Sequence, residues 1–306
     1  MIDAQNLTKK FGTLTAVDDL TFHVEEGEIF GLLGPNGAGK TTTMRMLASL
    51  ISITSGKASV GEFDVGNKGD SLKIRQMIGL LPDNFGLYND LTAYENIDFY
   101  GRLYGCTATQ RTENIERLLK MLDLWEQKDL RVGPFSKGMK QKVAIARALV
   151  HDPAILFLDE PTANLDPESS KTVRDFILEL KNANKTIFLN THNLDEAQRI
   201  CDRIGILKTK LLTIGAPEQL EESLWAARTV IQLEEVNEAI IHAVRALEPK
   251  NFTVEDNKIL IDVSNAETEN PSFVKAIVSA GGNIQFVTEQ RPSLEDIYIN
   301  IVRETE

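Results

Sequence analysis

The sequence predicts an α/β domain built on a largely parallel sheet with an inserted helical lobe, followed by a smaller α+β domain of ferredoxin-like order. Three observations carry this prediction. Short β-branched or leucine-rich runs alternate with helical patterns over the first two-thirds of the 306 residues. A glycine-rich turn, Gly34–Thr41, stands between a strand pattern and a helix pattern. Past Gly215 the order of patterns becomes β-α-β-β-α-β. At about 150 residues per domain the length suits two domains, here 1–215 and 216–306, each able to bury a core.

The first strand is Glu28–Leu33, and the helix after the glycine turn runs from about Lys40 to Leu50. Ile78–Leu81 reads as a strand. From about Leu91 to Leu149 the apolar spacing turns helical, with Tyr94–Tyr104 and Arg111–Leu122 each showing one apolar stripe, so residues of about 84–152 form an inserted lobe. Ala154–Leu158 and Thr186–Leu189 are continuous apolar runs, as buried strands require, and both end in polar residues, where open α/β sheets carry their ligand sites. In the second domain Thr229–Leu233 is a strand, Val236–Ala246 a helix, Phe252–Glu255 and Lys258–Val263 a hairpin turning at Asp256-Asn257, Pro271–Ala280 a helix and Asn283–Thr288 a strand. A last amphipathic helix follows from Ser293.

Composition excludes several classes. The chain is 42% hydrophobic and 25% charged with a mean hydropathy of −0.17, and it holds no apolar run near the ~18 residues that cross a bilayer, so direct membrane insertion is not expected. The N-terminus carries an early acid and no apolar stretch, which is unlike a secretory signal and places the chain in the cytoplasm. Cys106 and Cys201 form no Cys-x-x-Cys pair, so neither a metal site nor a redox dithiol is expected. Residues 1–215 hold 26 basic against 28 acidic side chains, whereas 216–306 hold 7 against 17, so nearly all of the net charge of −12 lies in the second domain. Such a surface repels nucleic-acid phosphates and anionic lipid headgroups. It reads either as a solvated face or as an acidic docking face.

The chemistry lies at the turns. Gly34-Pro35-Asn36-Gly37-Ala38-Gly39-Lys40-Thr41 fits G-x-x-x-x-G-K-[ST] between strand and helix. Its glycines let backbone N–H groups approach phosphate oxygens, and the helix N-terminus adds unpaired donors and a dipole. Lys40 is assigned to the β- and γ-phosphates, the Thr41 hydroxyl to Mg²⁺ and Thr42 to the α-phosphate. The strand Ile155–Leu158 ends in Asp159 and Glu160. An acid there can hold Mg²⁺ and a second can orient an attacking water, so Asp159 is assigned to the metal and Glu160 to the water.

Taken together, Gly34–Thr41, Phe135–Gln141, Leu156–Asp166 and Thr191-His192 resemble the motif series of an ATP-binding cassette (ABC) ATPase, a P-loop NTPase, over about residues 2–215. Lys40 to Ser136 is 96 residues, Ser136 to Asp159 is 23 and Asp159 to His192 is 33. The resemblance implies a dimer in which each of two ATPs lies between the phosphate loop of one subunit and the signature segment of the other. By the same resemblance Ser136 and Gly138 supply a hydroxyl and an N–H to the γ-phosphate. His192 is the switch histidine, Asp166 belongs to the D-loop (Asn164–Asp166), and Phe11 is the aromatic that stacks on adenine.

Two departures stand out. The signature reads Phe-Ser-Lys-Gly-Met rather than Leu-Ser-Gly-Gly-Gln, with the contacting serine and second glycine retained. Where the family often has glutamine after the strand Ile78–Leu81, this chain has Pro82-Asp83. Asp83 is assigned to Mg²⁺, capping of the next turn being the alternative. The loop 34–44, the run Leu81–Asn96, Ser136–Gln141 and the late Pro292–Tyr298 are similar to ABC-2 exporter ATPases, the group of multidrug, antibiotic and sodium efflux systems. That resemblance implies ATP-driven export through separate integral membrane permease subunits, with the protein peripheral on the inner face of the cell membrane and no nucleic-acid partner. Leu294–Ile301 then serves either partner contacts or packing on its own domain. An importer ATPase with a regulatory C-terminal domain, and a soluble cassette acting on ribosomes or DNA, are the alternatives. The cargo is not encoded here.

Overall fold

The computed structural model describes residues 1–223 and 227–290. Two compact units make up the chain, Met1–Pro217 and Glu218–Glu306. In chain order the first unit contains β1 (Ile2–Phe11), β2 (Leu14–Val24), β3 (Ile29–Leu33), α1 (Lys40–Leu47), β4 (Ser55–Val60), β5 (Phe63–Asp64), α2 (Ser71–Met77), β6 (Ile78–Leu81), α3 (Ala93–Leu103), α4 (Ala108–Met121), α5 (Lys137–Leu149), β7 (Ile155–Asp159), α6 (Pro167–Asn182), β8 (Thr186–Thr191), α7 (Leu194–Ile200), β9 (Arg203–Lys208) and β10 (Lys210–Gly215). A short helix α8 (Pro217–Ser223) follows. The second unit continues with β11 (Ala227–Leu233), α9 (Glu238–Arg245), β12 (Phe252–Glu255), β13 (Lys258–Val263), α10 (Ala266–Ser279) and β14 (Ile284–Gln290).

Two sheets form the body of the first unit: an antiparallel one in the order β2-β1-β4-β5, and a six-stranded one in the order β10-β9-β3-β8-β7-β6 that is parallel except for its β10 edge. Strands β3, β7 and β8 are buried along their whole length, which is why Ile29–Leu33, Ile155–Leu158 and Ile187–Leu189 read as continuous apolar runs rather than alternating ones. Phe22 of the antiparallel sheet stacks on Phe30 at 5.4 Å between ring centres, and Phe30 and Phe157 both meet Phe188 at 5.6 and 5.5 Å. These rings, buried between the sheets, fix one sheet on the other; each contributes about 1.5–3 kcal/mol of burial.

Local signals set the helix ends. Thr92 with Glu95, and Thr107 with Gln110, close reciprocal capping boxes at the starts of α3 and α4. Helix α1 stops at Leu47, before the predicted Leu50, because Ser49 takes a left-handed backbone conformation (φ 52°). Helix α10 starts at Ala266, five residues ahead of the predicted Pro271. The Asn265 side chain accepts the N–H groups of Glu267 and Thr268, and that cap starts the helix early enough to place Pro271 inside it.

Both cysteines are free thiols; Cys201 is buried, and desolvation pushes its thiol well above the ordinary value. In the second unit the four strands run antiparallel in the order β12-β13-β11-β14, the ferredoxin-like arrangement for β-α-β-β-α-β. Ile231, Ile259 and Ile261 from the sheet pack with Ile240 and Val244 of α9 and with Phe273 and Ile277 of α10. The predicted helix from Ser293, with its Leu294–Ile301 stripe, lies outside the described residues.

Candidate nucleotide site

Register alone assembles the site. In the parallel sheet Leu33 lies opposite Thr191, Asp159 opposite Asn190 and Leu81 opposite Leu158. The residues just beyond those ends, Gly34, Glu160, His192 and Asp83, are therefore carried to one edge of the sheet. A cavity of about 360 Å³ opens there, lined by residues 35–42, Asp83, Asp159, Glu160 and His192. That volume lies in the range of small-molecule sites.

The loop curls because Gly37 and Gly39 adopt φ of 84° and 105°, and a Cβ on Gly39 would lie 2.5 Å from the Ala16 carbonyl oxygen. The Ala38 N–H closes the turn on the Pro35 carbonyl at 3.1 Å. Lys40, the first residue of α1, is buried and donates to the carbonyls of Gly34 (2.6 Å) and Pro35 (3.2 Å). Its ammonium stands 3.8 Å from Glu160 Oε1. Burial pulls the Lys40 pKa down, while the charges of Glu160 and Asp159 oppose that shift.

Asp159 is held from two sides. Thr41 Oγ1 donates to its Oδ2 and Asn190 Nδ2 to its Oδ1, both at 2.9 Å. Glu160 follows in a left-handed conformation (φ 52°), an uncommon state for a residue with a side chain, and its N–H bonds the Asn190 carbonyl at 2.9 Å. This turn brings Glu160 Oε2 to 2.8 Å from Nδ1 of His192, whose side chain is 60% exposed against 15% for Glu160. A cation, three carboxylates and an imidazole thus converge on one cavity beside a helix N-terminus, an arrangement suited to a polyphosphate and an activated water.

Ser136, Gly138 and Asp166 lie outside the cavity lining and form a second group. The Ser136 hydroxyl accepts the Met139 N–H at 3.2 Å and so caps α5. Asp166 caps α6 through the Ser169 N–H at 2.9 Å, and its bonds to Ser169 hold its carboxyl below the usual range. A Cβ on Gly138 would lie 2.3 Å from Ser169 Oγ, so glycine lets the two helix starts approach. Phe11, at the end of β1, is also outside the cavity; it is 49% exposed, with the Lys9 ammonium 4.9 Å from its ring centre.

Sequence reading missed Asn190, which orients Asp159, and Ala16 and Ala163, which complete the wall. It gave no role to Gln141, the last residue of the Phe135–Gln141 motif, whose amide donates to the Pro161 carbonyl at 2.7 Å, and it missed Arg147, buried on α5 and bonded to the Phe85 and Gly86 carbonyls. A polar residue inside an apolar strand, such as Asn190 after Ile187–Leu189, was the one signal available.

Residues 17–163 match the family model described as ABC transporter, and residues 215–302 match that of the ATP-binding protein DrrA1-3-like, C-terminal domain. The chain is 35% identical to the linearmycin resistance ATP-binding protein LnrL of Bacillus subtilis (strain 168), over 100% of this chain and 99% of that one. It belongs to the ATP-binding subunits of ABC transporters. A second relative of this family, the Nod factor export ATP-binding protein I of Rhizobium sp. (strain N33), is 34% identical over 98% of this chain and 96% of its own. Among solved structures, the cassette MJ0796, a dimer in a post-hydrolysis state bound to ADP and Pi, superposes with a TM-score of 0.65 at 28% identity, over 71% of this chain and 98% of that one. This ABC subunit is accordingly an ATP-binding ATPase. Among the described residues no helix is long and apolar enough to cross a membrane.

Proposed function

We propose that this subunit powers export through separate membrane-spanning permease subunits, working as one of two paired cassettes on the inner face of the membrane. The observation that carries the reading is the convergence of Lys40, Asp159, Glu160 and His192 on one cavity. Relatives named for linearmycin resistance and Nod factor export support the outward direction, and the dimeric MJ0796 structure supports pairing. In this reading the cassette is residues 1–215 with its lobe at 84–152, and 216–306 is an accessory domain.

The residues divide the work. The N–H groups of loop 34–39 and the Lys40 ammonium bind the phosphates; Lys40 exchanges its carbonyl partners for phosphate oxygens. Thr42 takes the α-phosphate and Phe11 the adenine face. Glu160 accepts a hydrogen bond from the attacking water and aims it, and His192 steadies that carboxylate while reaching the terminal phosphate. Across the dimer Ser136 and Gly138 meet the partner's nucleotide, and Asp166 links the two sites.

The donors beside the phosphate loop fit Mg²⁺: Thr41 Oγ1 and Asp159 Oδ2 are hard oxygens 2.9 Å apart, and Asp83 lines the same cavity. Bound there, the ion supplies charge neutralisation to the phosphates. Asp83→Ala is expected to raise the Mg²⁺ concentration that half-saturates ATPase activity; an unchanged Mg²⁺ dependence removes Asp83 from the set. The partner assignment is tested by capture from detergent-solubilised host membranes with tagged Glu160→Gln and Mg-ATP. Recovery of a polytopic membrane protein is the expected result, and recovery of only ribosomal or nucleic-acid proteins contradicts export.

A further inference from the structure

Burying a carboxylate costs several kcal/mol unless hydrogen bonds replace its water, so a buried acid that only fills space is a poor solution. Glu196, in the first turn of α7, is 2% exposed. Its Oε1 accepts from Thr162 Oγ1 at 2.6 Å and its Oε2 from Thr191 Oγ1 at 2.9 Å, and both threonines are themselves buried. Desolvation pushes the Glu196 carboxyl up, and the two hydroxyls pull it back. The N-cap duty of α7 falls to Asn193, whose side chain accepts the Glu196 N–H at 3.1 Å, so the helix start does not require the acid.

The two hydroxyls belong to the two segments that matter. Thr162 lies two residues after Glu160, and Thr191 immediately precedes His192. The main chain joins the segments through the Glu160 N–H and the Asn190 carbonyl, and the Asn190 side chain joins them again at Asp159. Glu196 adds a further side-chain tie, on residues 34 and 5 positions away. The left-handed backbone of Glu160 is a strained state that persists only where its surroundings over-determine it.

We propose that Glu196 is a positioning residue for ATP hydrolysis: one buried carboxylate, bonded to Thr162 and Thr191, fixes the segment carrying Glu160 against the segment carrying His192. It stands outside the cavity lining and acts through the 2.8 Å contact between Glu160 and His192. The proposal rests on the hydrolytic reading of that pair. A displacement of about 1 Å in a reacting geometry costs on the order of 10²-fold in rate, so a partial loosening lowers turnover by about 10- to 30-fold.

The test is steady-state ATPase activity of the full chain in Glu196→Gln, with Glu160→Gln, His192→Ala and the double variant Glu196→Gln/His192→Ala measured alongside. The expected result is a kcat reduced about 10- to 30-fold with the KM for ATP within about twofold of the parent, and less than about threefold further loss when Glu196→Gln is added to His192→Ala. Should Glu196→Gln fail to fold, Thr162→Val reads the same direction, and Thr162→Ser, which restores the hydroxyl, recovers most of the lost rate. A lowered melting temperature with kcat unchanged, or a raised KM with kcat unchanged, overturns the proposal and leaves Glu196 a structural or binding group. An inactive Glu160→Gln beside a fully active Glu196→Gln overturns the clamp alone. A fully active Glu160→Gln overturns the hydrolytic assignment, and the clamp with it.

Discussion

The two units make similar use of apolar periodicity and very different use of charge. In the first, the carboxyl edge of a parallel sheet draws Lys40 and Glu160 together with side chains only 7% and 15% exposed. In the second, the sheet is antiparallel, and Arg228 and Asp262 sit directly across β11 and β13 at 2.7 Å, the arginine 35% and the aspartate 11% exposed. The more acidic unit, with 7 basic against 17 acidic residues over 216–306, thus holds this buried acid in a cross-strand pair rather than at a strand-end cavity. Net charge does not mark a reactive site. Strand direction does, because parallel strands end side by side and antiparallel ones scatter their ends.

Six substitutions, in four experiments, sharpen or break this contrast, from the largest effect down. Phe188→Ala should destabilise the first unit by about 3–5 kcal/mol in urea unfolding, and Ile261→Ala should cost the second about 2–5 kcal/mol, since both side chains are fully buried. Comparable losses would confirm that the cores are alike even though the sites are not. Lys40→Ala should weaken ATP binding by about 10²-fold, whereas Lys258→Ala, at the exposed start of β13, should change it less than about twofold. Equal effects in a nucleotide-binding titration would break the contrast.

His151 gives a pH-dependent effect confined to the first unit. Its ring stacks on Tyr104 at 3.6 Å, Nε2 contacts the Ile78 carbonyl at 3.0 Å, and burial lowers its pKa below the unfolded value. A depressed folded-state value means this contribution to stability is present above the unfolded pKa of about 6.5 and is lost as pH falls below it. His151→Phe should therefore flatten the fall in melting temperature between about pH 7 and 5.5, by about 2 °C, in a calorimetric scan. A slope equal to the parent's would remove His151 as its source. The smallest effect is expected from Asp262→Asn, about 0.5–1 kcal/mol for a cross-strand pair whose arginine is 35% exposed. A loss several times larger would mean that the fold of the second unit depends on the charge of this buried acid.

How much of this was legible in the sequence follows from the range of each interaction. The phosphate loop, Asp159-Glu160 and His192 stand at the ends of short apolar strands, so a local pattern exposes them. The antiparallel sheet of β1, β2, β4 and β5 was not read. Register shifts at Ala4/Leu7, Leu7/Lys9 and Lys9/Lys10, with left-handed Asn6 and Asp19, break the two-residue alternation that marks such strands. Asn190, Gln141 and Glu196 act on partners 31, 20 and 34 positions away, and no local spacing encodes those contacts. Proline misled at α10, where Asn265 offered a stronger start signal six residues earlier.

In the function proposed above, the carboxyl end of the parallel sheet carries the reaction through Glu160. Single-turnover hydrolysis of bound Mg-ATP by Glu160→Gln, with ATP affinity measured on the same protein, tests it most directly. Hydrolysis slowed by at least about 10²-fold with affinity within about threefold of the parent is expected, as for a group that acts on the transition state rather than on binding. Hydrolysis at the parent rate would contradict it.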